Sequence, residues 1–84
     1  MKYTLIKRDK SFRADSHSHF IGWMRKMDLQ KWHDNKDFME GYSHRKMTFE
    51  NIEIRHHDEK SFVEDLQKNN LLKIESSKGF LGIF

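Results

Sequence analysis

Cysteine and proline are both missing from these 84 residues, and alanine and valine occur once each, as Ala14 and Val63. Without cysteine there is no disulfide, no thiolate zinc site and no Cys nucleophile. A chain without disulfides suits a reducing compartment, so the expected location is cytoplasmic, or a host cytoplasm if the source is viral. No run approaches the ~18 apolar residues of a membrane span, and the N-terminus lacks the apolar core of a signal peptide. The expectation is therefore no membrane partner. Hydrophobic residues are also scarce, at 36%. A chain this short buries only about 60% of its unfolded surface, so one compact domain over 1–84 with a small core is expected.

What is abundant is charge and aromatic surface. Charged residues make up 35% and aromatic residues 13%. Disordered chains are poor in aromatics, so seven Phe, two Trp and two Tyr argue for a packed core. Eleven Lys and seven Phe beside one Ala and no Pro is the bias of an AT-rich genome, as in a low-GC bacterium or a lytic phage. The net charge of +3 is uneven: residues 1–46 hold eleven basic against six acidic residues, and 47–84 hold five against seven. The first half thus carries +5 and the second −2, an asymmetry that marks a side facing a polyanion or an ordinary dipolar surface.

Apolar spacing predicts the elements. Lys2 to Arg8 alternates as a strand, with Tyr3 and Leu5 on one face and Thr4 and Ile6 on the other. Asp9 to His19 reads as a loop carrying Lys10, Arg13, His17 and His19. Phe20, Trp23, Met24 and Met27 form one helical stripe, capped by Ser16 or Ser18, in a helix over 18–33. A shorter helical turn over 36–41 ends at Gly41, and Ser43 to Lys46 is a polar connector. Met47 to His56 is strand-like, with a parity change near Glu50-Asn51 that asks for a bulge or a hairpin turn. Ser61-Phe62-Val63-Glu64 has the capping-box pattern of a helix start. Leu71 to Glu75 is a further strand, 76–79 a turn and 80–84 an apolar strand or tail. The expected fold class is α+β: a mixed or antiparallel sheet of about four strands packed against two helices.

Three function classes compete. Nucleic-acid binding, of RNA above all, rests on the basic half. Its candidate residues are Lys7, Arg8, Lys10, Arg13, Arg25, Lys26, Arg45 and Lys46, with Phe12, Trp32 and Tyr42 as aromatics that can stack on unpaired bases. Against this, tryptophans at helical spacing more often belong to the core. A protein-binding inhibitor that occludes a target is the second class. Residues 80–84 are nearly all apolar and need either the core or another chain, which suggests a homo-oligomer or a protein target. The third is a small nuclease using His17 or His19 with His56 or His57, and Arg13, Arg55 or Lys60 on the phosphate.

Six histidines (17, 19, 33, 44, 56 and 57) invite a metal reading, but no spacing matches a metal signature. No metal, cofactor or catalytic residue is assigned. The expected protein is a small, basic, non-enzymatic binding protein in a regulatory or inhibitory role. Its fold is organised around the Asn51–Asn70 corner and its grip comes from the basic half.

Overall fold

The computed structural model describes residues 1–75. The turn expected over 76–79, the strand over 80–84 and the oligomer contact through 80–84 lie outside the described residues. Within them the order is β1 (Lys2–Leu5), β2 (Lys10–Arg13), α1 (His17–Met27), α2 (Asn35–Glu50), α3 (Glu59–Lys68) and β3 (Leu72–Glu75). The class is α+β, with three antiparallel strands and three helices rather than about four and two. No helix among the described residues is long and apolar enough to cross a membrane.

β1 is the middle strand, in the order β2-β1-β3. Its alternation explains why. Tyr3 and Leu5 are buried beneath the helices, and Thr4 faces the other way. Tyr3 pairs with Phe12 and Ile74 across the sheet, so the helix-facing row is apolar from edge to edge. Asp9 closes the β1–β2 turn with φ of 53°. Lys10–Arg13, expected to be loop, is a strand because β1 supplies its hydrogen bonds and Phe12 stacks on Trp23 at 4.8 Å. One apolar residue in four was too weak a pattern to reveal it.

α1 places Phe20, Ile21 and Met24 in the core. Ser16 caps it by accepting the His19 N–H at 3.1 Å. Tyr3 stacks on Phe20 at 4.5 Å, and its hydroxyl hydrogen-bonds His17 Nδ1 at 2.8 Å. The helix stops at Met27, not at 33, with Asp28 as its cap. Leu29, within the helix expected over 18–33, consequently lies fully in solvent.

The largest correction is α2. Gly41 does not end it, and Ser43 to Lys46 is not a connector. One helix runs to Glu50, where Asn51 turns left-handed with φ of 55°. Asp34 caps its start by accepting the Asp37 N–H at 2.8 Å. Gly41 sits mid-helix because the Trp32 ring lies against it, where a Cβ would overlap the ring. Met47 and Phe49, which alternate like a strand, are both exposed on the last turns of this helix.

The corner that follows also differs from expectation. Residues 51–56 form no strand. The Arg55 N–H donates to the Asp65 carboxylate at 2.8 Å, so a side chain takes the place of a neighbouring strand. Ile54 still enters the core. The α3 cap is Asp58, not Ser61: Asp58 accepts the Ser61 N–H at 2.7 Å. A carboxylate there satisfies an orphan donor and meets the positive end of the helix dipole. α3 then buries Phe62, Val63 and Leu66 completely. Asn70, with φ of 58°, reverses the chain into β3 while Leu71 N–H bonds Leu66 O.

Candidate functional site

The β1–β2 turn and the C-terminal half of α2 meet over the ends of α1 and β3. Between them lies a cleft of about 280 Å³. Its floor is Leu5, Met24, Phe38, Tyr42 and Leu71, and its rim carries Lys7, Arg8, Arg45, Lys46, Phe49, Asp28 and Glu50. Four of the eight predicted basic residues therefore line one cavity, although Lys7-Arg8 and Arg45-Lys46 are far apart in sequence. The other four do not. Lys10 is on β2 in register with Leu5, and Arg13 is in register with Lys2 on the sheet face away from the helices. Arg25 donates through Nε to Asn35 Oδ1 at 3.0 Å, and Lys26 is exposed on the last turn of α1.

The cleft cations are held differently. Lys46 Nζ is 2.6 Å from one Glu50 oxygen, and Lys7 Nζ is 3.4 Å from the other. These lysine hydrogen bonds and charges hold the Glu50 carboxyl below its ordinary pKa, the Lys46 bond contributing most. Arg45 Nη2 lies 2.5 Å from Asp28 Oδ2, and its guanidinium sits 5.8 Å over the Trp32 ring. Partial burial works to raise the Asp28 pKa, but bonds from the Gln30 N–H and Arg45 outweigh it and the net shift is downward. Arg8 makes no ion pair among the described residues. Four cations against two carboxylates leave the rim at +2, the excess that an anion would meet.

Two aromatic groups complete the site. Burial, reinforced by the Glu50 charge and countered by Arg8 and Arg45, pushes the Tyr42 hydroxyl up to about 12. Tyr42 therefore remains a neutral hydrogen-bonding group near neutral pH. Phe49 is 80% exposed at the rim. Sequence reasoning selected Tyr42 but not Phe49, Asp28 or Glu50. With α2 read as one helix, Phe49 falls beside Arg45 and Lys46 at i−4 and i−3, which was the missing signal. The other stacking candidates serve the fold: Phe12 packs on Trp23, and Trp32 on Gly41.

The histidines are placed locally. His17 bonds Tyr3, and His19 accepts the Asp15 N–H and lies edge-on to Phe12. His57 Nε2 contacts both Ser61 Oγ and Asp58. His44 and His56 line a second cavity of about 240 Å³ with Glu40, Glu53 and Ser43, whose buried hydroxyl has no hydrogen-bond partner among the described residues. Among the described residues no group of three or more His, Asp or Glu side chains is arranged to hold a metal ion. Comparison with protein-family models, with curated proteins and with solved structures finds no match for this chain.

Proposed function

We propose that this protein works by binding, and that the cleft between the β1–β2 turn and α2 grips the phosphate backbone of RNA or other nucleic acid in a regulatory or inhibitory role. The observation that carries the reading is the convergence of Lys7, Arg8, Arg45 and Lys46 on one cavity that also holds Tyr42 and Phe49. Cations supply a sequence-independent attraction to phosphate, and the open face of Phe49 supplies stacking for an unpaired base. The test is the affinity for single-stranded RNA against salt concentration. Engagement of about three phosphates gives a log–log slope of roughly −2. Absence of binding at low salt would sink the reading.

A protein-binding inhibitor is the second reading, favoured by the exposure of Phe49, Met47 and Leu29 in a chain poor in apolar residues. It predicts a stoichiometric protein partner whose binding is insensitive to salt and lost in Phe49→Ala. A partner lost on raising salt speaks against it.

A further inference from the structure

We propose that the cleft is a site for one unpaired nucleotide, its base laid on the Phe49 ring and its phosphate on Arg8, with Glu50 as a built-in competitor for that phosphate. This deepens the nucleic-acid reading above and rests on it. Size and shape come first. A cavity of about 280 Å³ falls just below the ~300–1,000 Å³ of drug-sized ligand sites, which suits one nucleotide and not a duplex. Phe49 then offers a ring that is 80% exposed beside that cavity. An unpaired base has a free π-face to lay on such a ring, whereas a base inside a duplex does not.

Glu50 supplies the independent observation. It is the last residue of α2, where the negative end of the helix dipole repels a carboxylate, and that last turn holds no basic residue. Its position is held by Lys46 at 2.6 Å and Lys7 at 3.4 Å. Glu50 thus occupies two of the cations that a phosphate needs. Arg8, with no ion pair among the described residues, meets the incoming phosphate with a forked guanidinium. The phosphate then displaces Glu50 from Lys7, the longer of its two contacts. This resident carboxylate weakens capture of any bare anion, so base stacking decides which anion is kept.

The experiment uses the full chain and three probes: a labelled single-stranded RNA ten-mer, the duplex of the same sequence, and inorganic polyphosphate. Phe49→Ala is expected to lose about tenfold or more in affinity for the single strand, and to leave polyphosphate and duplex binding unchanged. Glu50→Gln is expected to bind single strand and polyphosphate about fivefold tighter. Both positions are solvent-facing, so melting temperatures near wild type show that the fold is kept. If Phe49→Ala binds the single strand like wild type, or loses duplex equally, the nucleotide site is overturned while the nucleic-acid reading stands. If Glu50→Gln gains nothing, Glu50 is no competitor. If neither wild type nor Glu50→Gln binds RNA or polyphosphate at low salt, the nucleic-acid reading itself falls and this site with it.

Discussion

Two clusters of charge in this protein look alike in sequence and differ in their surroundings. One joins Arg55 to Asp65. The other joins Lys7, Arg8, Arg45 and Lys46 to Asp28 and Glu50. In the first, Asp65 is 6% exposed and accepts three hydrogen bonds from Arg55: the backbone N–H, Nε and Nη2 at 2.8 to 2.9 Å. Every strong acceptor there is used by the fold itself. In the second, the carboxylates are outnumbered two to one, Arg8 has no ion pair among the described residues, and an aromatic ring stands in solvent. The closed cluster holds a corner in place of a strand. The open one has unspent charge at a cavity. Charge that the fold consumes reads as structure, and charge it leaves over is where binding is to be sought.

The comparison can be broken from either side. Asp65→Ala has the largest expected effect on stability, a loss of about 2–3 kcal/mol in urea unfolding, because the Arg55 N–H loses its acceptor in a part-buried site. Its affinity for RNA, compared at a temperature where it is folded, stays within about twofold of wild type. A loss of binding as large as that of a cleft variant would erase the distinction between the clusters.

Gly41→Ala comes next, at a net cost of about 1–2 kcal/mol. The new Cβ drives into the Trp32 ring, and overpacking outweighs the gain in helix propensity. The near-ultraviolet dichroism of Trp32 should change with it. An Ala variant as stable as wild type, with an unaltered aromatic spectrum, would show that Trp32 is not seated on α2.

pH tests both clusters. Hydrogen bonds from Arg55 hold Asp65 below the ordinary carboxylate range, so in the folded state it releases its proton more readily than in the unfolded chain. Its contribution is present above a pH of about 4 and is lost as pH falls through the folded value. Asp65→Asn should flatten that acid limb. In the cleft the sign reverses. Tyr42 ionises at about 12 when folded and near 10.0 otherwise. Stability that depends on the neutral phenol is complete below that lower value and declines as pH rises through the upper one. Tyr42→Phe should reduce the alkaline decline, to which Tyr3, also pushed up by burial, contributes the remainder; an unchanged alkaline limb would place the titration elsewhere.

The smallest effect on stability belongs to the open side. Replacing Lys7 and Arg8 together by Gln should move the unfolding free energy by no more than about 0.5 kcal/mol, since surface ion pairs contribute little. The same change should reduce the salt slope of RNA binding by roughly 1. A large stability loss without a change in slope would mean that these cations serve the fold after all.

Some of this was legible beforehand. The stripe from Phe20 to Met24, the buried row from Phe62 to Leu66 and the alternation of Tyr3 and Leu5 are local patterns. They identified α1, α3 and β1 because burying apolar groups at a helical or strand period is a property of the segment itself. The α+β class followed from them. α2 escaped because it buries only Phe38, Met39 and Ser43, so no apolar stripe runs its length. Trp32 packs on its middle at Gly41, and its second half ends on the Lys46–Glu50 pair and the left-handed Asn51. Half of the predicted basic residues reach the cleft, and nothing in their spacing separated that half from Lys10, Arg13, Arg25 and Lys26. Composition determined that the first half of the chain is cationic. Only the tertiary structure decided which cations meet, because the packing of α2 against α1 brings Arg45 and Lys46 to the cavity that Lys7 and Arg8 line. Glu50 and Phe49 came to that rim for the same reason, as the end of a helix that reads in sequence like the start of a strand.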